Sequence, residues 1–291
     1  MKPAPFEYHR PDSAADAVAL LAELGDDAKV LAGGQSLIPM LALRLAVFGH
    51  LVDVGRIEAL RSIERRNGAL WIGAGTTDAA VEHSADVASA VPLLARATPF
   101  VGHFQIRNRG TVGGSLAHAD PAAEYPAVAL ALDATLNALS PRGTRLIAAR
   151  DFFTGIWSTA LAPDELLTGV SFPVWSGRCG FAVHEFARRH GDFAIAGATV
   201  ALELGGDDRV SRCGIGLIGL GPSPVRALAA EVAAVGAGAE EIDANEIGQL
   251  AVSDLDAIPS DLHGSAAYRA RVGAVMVARA LAAAIEEARG G

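Results

Sequence analysis

The sequence predicts a globular protein of mixed helices and strands, divided into two or three domains. Its 291 residues are enough chain for that number at roughly 100 to 200 residues per domain. With 51% hydrophobic and 20% charged residues, the chain buries enough apolar surface to offset its ordering entropy, which excludes intrinsic disorder. Patterning agrees: short apolar runs ending in glycine alternate with longer segments that open on a capping residue and carry an apolar stripe.

Residues 5 to 54 read as alternating strand and helix. Ser13-Ala14-Ala15-Asp16 is a helix start, Val18, Leu20, Leu21 and Leu24 form the stripe, and Gly25 supplies the stop. Lys29-Val30-Leu31-Ala32 is a short strand running into Gly33-Gly34; a helix begins near Ser36 with Pro39 in its first turn, and Leu51-Val52-Asp53-Val54 is the next strand. The pattern restarts with Leu70 to Gly75 as strand and turn, after which Thr76, Thr77 or Asp78 caps a helix to about Ala90. A helix from Pro92 to about Thr98 leads into Ile106-Arg107-Asn108-Arg109-Gly110-Thr111-Val112-Gly113-Gly114-Ser115. Thr135 to Ala138 and Leu166 to Phe172 read as strands, and Pro173 to Gly180 forms a joint. A third unit follows, with strands near Phe181 to Arg188, Ala194 to Leu204 and Val210 to Leu220, then two helices ending in the Ala-rich stretch from Tyr268 to Ala288.

Charge and composition exclude several function classes. Lys+Arg 24 against Asp+Glu 33 gives a net charge of −9, so no cationic surplus exists to displace counterions from nucleic acid. Mean hydropathy is +0.31, yet charges such as Glu124 and Asp133 interrupt the apolar runs, and no membrane span is predicted. The opening Met1-Lys2-Pro3-Ala4-Pro5-Phe6-Glu7 lacks an apolar signal core, so a cytoplasmic location is expected. The only two cysteines, Cys179 and Cys213, cannot supply the four thiolates of an iron–sulfur cluster or a Cys-rich zinc site.

The glycine-rich segments carry the chemical signal. Gly214-x-Gly216-x-x-Gly219 spells a dinucleotide fingerprint, but Leu220-Gly221-Pro222-Ser223-Pro224 follows in place of a helix start, and glycines that thin a crowded strand are the better reading. Gly33-Gly34-Gln35-Ser36 and Gly113-Gly114-Ser115 each read as standing between a short strand and a polar residue that can begin a helix or turn. There glycine lets backbone approach a phosphate, exposed N–H groups donate, and serine adds a hydroxyl; tight strand-to-helix turns would leave the same pattern. In Leu116-Ala117-His118-Ala119-Asp120-Pro121-Ala122-Ala123-Glu124, Asp120 and Glu124 read either as ligand contacts or as a cap and a first-turn acid. His184-Glu185 lacks a second zinc-ligand histidine, the eight histidines are scattered without ligand spacing, and no G-x-S-x-G elbow exists, so neither metal ligands nor catalytic residues are assigned. Arg188-Arg189-His190 is a solvated face or an anion neighbour.

Three segments together resemble one family: Ala32-Gly33-Gly34-Gln35-Ser36-Leu37-Ile38-Pro39, Ile106 through Pro121, and Arg188-Arg189-His190-Gly191-Asp192-Phe193-Ala194. They are similar to the FAD-binding medium subunits of molybdenum hydroxylases, in the carbon monoxide dehydrogenase medium-subunit and xanthine dehydrogenase FAD-binding family. Gly221 to Ala227 and Asp261 to Arg269 support the likeness, which runs in order along nearly the whole chain. The resemblance implies an α+β fold: FAD-binding subdomains 1–56 and 57–175 of the vanillyl-alcohol-oxidase type, then a C-terminal α/β domain, 176–291, of the CO dehydrogenase flavoprotein kind. It implies pyrophosphate loops at Ala32, Gly33, Gly34, Gln35 and Ser36 and at Thr111, Gly113, Gly114 and Ser115, with Leu37 and Ala117 beside them. Asp120 and Glu124 would lie near the cofactor's sugar and phosphates, Leu167 and Val101 against flavin or adenine, and Asp192 and Phe193 near the isoalloxazine ring.

The implied activity is electron relay, in which non-covalently bound FAD receives electrons from a small [2Fe–2S] subunit served by a large molybdopterin subunit, in a dimer of heterotrimers. No residue of this chain need be a general acid or base, since the redox chemistry is the cofactor's. The competing readings are a free-standing FAD-dependent oxidase or dehydrogenase, and an assembly subunit without redox function.

Overall fold

A computed structural model describes residues 2–290. The first unit runs β1 (Glu7–His9), α1 (Ala14–Leu24), β2 (Ala28–Leu31), α2 (Leu37–Ala42) and β3 (His50–Asp53). Its three strands are parallel in the order β1-β3-β2, as crossover connections through helices require. The Ser13 hydroxyl accepts the Asp16 N–H to start α1, and Gly25, at φ +62°, ends it. Ala17, Val18 and Leu21 of α1 then pack against Val52, Val54 and Ile57.

The second unit runs β4 (Ile63–Arg66), β5 (Ala69–Gly73), α3 (Asp78–Glu82), α4 (Ala85–Ala90), α5 (Pro92–Ala97), α6 (Phe104–Arg107), α7 (Val112–His118), α8 (Glu124–Ala131), β6 (Thr135–Ser140), β7 (Gly143–Ala148), α9 (Ala149–Phe152), β8 (Phe153–Gly155), β9 (Ser158–Thr159) and β10 (Leu166–Pro173). Its main sheet is antiparallel in the order β4-β5-β10-β6-β7, and β8 pairs with β9 in a separate hairpin. The single helix expected between a cap at Thr76, Thr77 or Asp78 and about Ala90 is two, the first capped by Thr77. The Ser84 hydroxyl accepts the Val87 N–H and opens a new helix, which turns the chain at His83. The edge strands β4 and β7 are additional to the sequence reading: three of the four residues of β4 and the first four of β7 are exposed, so neither carries an apolar alternation.

The third unit is an antiparallel meander of β11 (Arg178–Phe186), β12 (Ala196–Leu204), β13 (Val210–Ile218) and β14 (Val225–Arg226), covered by α10 (Leu228–Ala234), α11 (Ala244–Ser253) and α12 (Ala266–Gly290). Three helices stand where two were expected. Gly214 and Gly216 do thin a crowded strand: a Cβ on either would collide with the Ala131 or Ala127 carbonyl of α8. The absence of those two methyl groups brings α8, buried at every position, against β13. Arg96 on α5 grips Glu287 on α12 through two bonds of 2.6 and 2.7 Å, and Glu287 also accepts the Phe181 N–H at 2.9 Å. Arg269, 5% exposed, ties the late motif together by donating to the Ile195 carbonyl at 2.6 Å and to both Asp261 oxygens at 2.8 and 2.7 Å. Among the described residues, no helix is long and apolar enough to cross a membrane.

Candidate functional site

A cleft of about 770 Å³ opens where the three units meet, within the roughly 300–1,000 Å³ of ligand pockets. The first unit contributes the loop after β2, the second contributes α7 and the segments before and after it, and the third contributes Gly191, Asp192 and Phe193. Ala32, Gly33, Gly34, Gln35, Ser36, Leu37, Val101, Thr111, Gly113, Gly114, Ser115, Ala117, Asp120, Glu124, Leu167, Asp192 and Phe193 all line it. The fold therefore gathers every candidate cofactor contact named from the sequence into one place.

The two glycine loops abut. A Cβ on Gly33 would collide with the Arg109 carbonyl and the Gly110 backbone, and one on Gly114 would lie 3.6 Å from the Ala32 methyl. At the first loop the N–H groups of Gly33, Gly34, Gln35 and Ser36 find no hydrogen-bond acceptor among the described residues. Gly34 adopts φ +74°, which curls the chain so that neighbouring amides form a concave donor set suited to an anion. The Gln35 side chain donates back to the Gly33 carbonyl at 3.0 Å and holds that shape.

The second loop differs from the expectation of a strand followed by free amides: Gly113 and Gly114 lie in the first turn of α7, after the Thr111 cap. Val112 donates to Thr76, Gly113 to Ala74 at 2.9 Å, Gly114 to the Thr111 hydroxyl at 3.1 Å and Ser115 to the Thr111 carbonyl. Gly113 has no room for a methyl against Ala74, so its glycine serves packing of α7 onto the loop after β5. What this wall offers a ligand is close backbone and the Ser115 hydroxyl.

Several residues in or behind the cleft wall escaped the sequence reading. Lys29 places a cation in a cleft whose carboxylate-bearing lining residues include Asp78, Asp120, Glu124 and Asp192, with its ammonium 5.7 Å from the Phe48 ring centroid. Arg107, buried, bonds Glu82 at 2.8 and 3.1 Å and the Gly102 and Val101 carbonyls at 3.0 and 3.3 Å, so it fixes the lining segment Val101-Gly102. Trp157, at the β8–β9 turn with φ +52°, lies parallel to His118 with ring centroids 6.2 Å apart. Its indole N–H points to the Asp120 carboxylate at 3.4 Å. Asp120 accepts the Ala122 N–H at 2.8 Å in a local turn, while Ala123 holds the cap position of α8. An irregularity in β10 at Thr168 lets Leu166 and Leu167 both face the cleft, although neighbours in a regular strand point to opposite sides.

Burial sets the electrostatics. Desolvation pushes the Glu124 carboxyl up to about 8, reinforced by the charges of Glu185, Asp78 and Asp120. Desolvation likewise pushes Asp78 to about 7 against the pull of Arg107, and Glu185 to about 7. Oδ1 of Asp78, 2% exposed, has no hydrogen-bond partner among the described residues. Burial lowers His118, so its ring is neutral near pH 7. A neutral Glu124 leaves the cleft open to a phosphate that an ionised one would repel.

A cleft with a free-amide glycine loop on one wall and apolar side chains and aromatic rings on the others has the donors and the apolar surface that a dinucleotide cofactor needs. Residues 4–175 match the family described as FAD binding domain in molybdopterin dehydrogenase, and residues 181–284 match the CO dehydrogenase flavoprotein C-terminal domain. The chain belongs to this family of molybdopterin-dehydrogenase flavoproteins, whose cofactor is FAD. It is 42% identical, over 99% of its own length and 97% of the relative's, to the 6-hydroxypseudooxynicotine dehydrogenase complex subunit alpha of Paenarthrobacter nicotinovorans. Its identity with the carbon monoxide dehydrogenase medium chain of Afipia carboxidovorans is 39%, covering 97% of each. Its fold is similar to a chain of carbon monoxide dehydrogenase from Hydrogenophaga pseudoflava, with a TM-score of 0.95 and 38% identity over 99% of both chains. Quinoline 2-oxidoreductase from Pseudomonas putida 86 gives a TM-score of 0.90 at 35% identity, covering 100% of this chain and 99% of that one.

Proposed function

We propose that this chain is the FAD-carrying medium subunit of a molybdenum hydroxylase complex, relaying electrons from the [2Fe–2S] clusters of a small partner subunit to an external acceptor. The carrying observation is the meeting of a free-amide loop, an apolar trough and the Asp192-Phe193 segment in one cleft of a chain that matches carbon monoxide dehydrogenase end to end. When bound, FAD supplies the redox chemistry. The residues of the chain hold and orient it. The amides of Gly33 to Ser36 and the Ser115 hydroxyl receive the pyrophosphate, with Lys29 offsetting its charge. Asp120, with neutral Glu124 beside it, receives sugar hydroxyls, while Val101, Leu167 and Phe193 exclude water from the rings. The supporting division of the chain is 1–56 and 57–175 clasping the cofactor, with 176–291 closing the cleft over the Phe193 end.

Two cysteines, on separate strands and both pushed up by burial to about 11 and 12, provide no cluster ligands. Electrons must then reach this chain from a Cys-rich polypeptide, and the complex would contain a large molybdopterin subunit as a dimer of heterotrimers in the cytoplasm. The relatives' names mention carbon monoxide, quinoline and 6-hydroxypseudooxynicotine, while identity to this chain stays between 35% and 42%. Such even similarity across unlike substrates supports substrate choice in a different subunit.

Two measurements test the proposal. Reconstitution of the purified chain with FAD is expected to give a non-covalent flavin absorbing near 450 nm, and absence of flavin would overturn the relay. Co-purification is expected to recover iron–sulfur and molybdenum subunits; a lone flavoprotein turning over its own substrate would favour the free-standing oxidase instead.

A further inference from the structure

The sequence places His9 and His50 far apart, but the parallel pairing of β1 with β3 sets Glu7 directly opposite His50 and brings His9, two residues along, onto the same face. His9 Nε2 lies 3.1 Å from His50 Nδ1. Glu7 Oε2 lies 3.6 Å from the same His50 nitrogen and 4.0 Å from His9 Nε2. We propose that Glu7, His9 and His50 form a site for a divalent transition-metal ion of the zinc class.

The dimensions carry the argument. A point equidistant from those three atoms lies about 2.1 Å from each, and about 2.0–2.2 Å is the length zinc takes to imidazole nitrogen and carboxylate oxygen. The His9–His50 hydrogen bond is exchanged for two metal–nitrogen bonds when the ion enters. Shifts of a few tenths of an ångström lift the ion from their plane and admit water as a fourth ligand. Two imidazoles and one carboxylate favour zinc, nickel or copper over magnesium and calcium, which prefer all-oxygen shells. The histidines are about three-quarters buried and Glu7 is exposed, so an ion enters from solvent without opening the fold. The bound ion joins edge strand β1 to central strand β3, a cross-link outside the FAD cleft.

The test is calorimetric titration of the full FAD-loaded chain with zinc chloride in the presence of millimolar magnesium. The expected result is one site per chain of micromolar or tighter affinity, with a rise of a few degrees in melting temperature at saturation. His9→Ala and His50→Ala are each expected to weaken binding at least about 100-fold, and Glu7→Gln about tenfold, while the exposed control His263→Ala leaves it unchanged. If a histidine variant loses its fold by circular dichroism, the exposed Glu7→Gln decides, together with the visible absorption of cobalt in the wild-type chain at the intensity of a four-coordinate site. Wild type binding zinc no tighter than the variants, or cobalt remaining six-coordinate, would overturn the site and leave a hydrogen-bonded histidine pair.

Discussion

The two glycine loops that meet in the cleft share a motif and use it differently. At Gly33-Gly34-Gln35-Ser36 four successive amides lack a partner among the described residues, whereas at Gly113-Gly114-Ser115 each amide is already bonded to Ala74 or Thr111. The first loop thus has free donors for the anion that the proposed function places there. The second is a seam, in which glycine allows the start of α7 to press against Ala74 and against the first loop. A doubled glycine signals close backbone approach, and only the hydrogen-bond accounting tells whether a ligand or the protein itself makes that approach.

The contrast breaks most sharply at Gly33, which belongs to both roles. Gly33→Ala drives a methyl into the Arg109 carbonyl and should part the loops; FAD affinity is expected to fall by a factor on the order of 100, about 2.7 kcal/mol, read by flavin fluorescence on titration. A loss below threefold would mean that the loops do not act as one surface. The acid on the second wall comes next. Glu124 has its folded pKa raised to about 8, above its ordinary value, so the stability it contributes is full at low pH and is lost as pH climbs from about 4.5 through 8. Glu124→Gln in the FAD-free chain is expected to remove part of that decline and gain on the order of 3 kcal/mol over wild type at pH 8, with little gain at pH 4.5, by denaturant melts. Asp78 and Glu185 keep their own decline of the same sign. Thr111→Ala should have the smallest effect: losing the cap of α7 costs about 1 kcal/mol, yet it frees the Gly114 amide toward the cleft, so FAD affinity should change less than fivefold. A large affinity loss with unchanged stability would assign the second loop a receptor role after all.

Much of this site was legible because its signals are local. A glycine pair after an apolar run, a Ser cap and a proline in a first turn are decided within a few residues, and α1, α2 and the first glycine loop followed the reading. What stayed hidden depends on partners distant in the chain. Arg107 finds Glu82 across 25 residues and His9 finds His50 across 41. Asp78 is one of three cap candidates beside Thr76 and Thr77; Thr77 is the cap, and only the fold shows Asp78 buried one residue past it, under Gly110. The edge strands β4 and β7 escaped because a strand exposed along most of its length carries no burial pattern.

The position of α8 has a consequence for synthesis. Its eight residues are all buried, and the surface they need includes β12 and β13, which begin at Ala196 and Val210, well after α8 ends at Ala131. A nascent polypeptide leaving the ribosome holds α8 as an apolar helix without its second neighbour until those strands emerge. Glu124, at the first turn of α8, belongs to the cleft wall. A chain cut short before Ala196 is therefore expected to leave the β12- and β13-facing side of α8 uncovered, so that completion of the cleft wall depends on the last third of the chain.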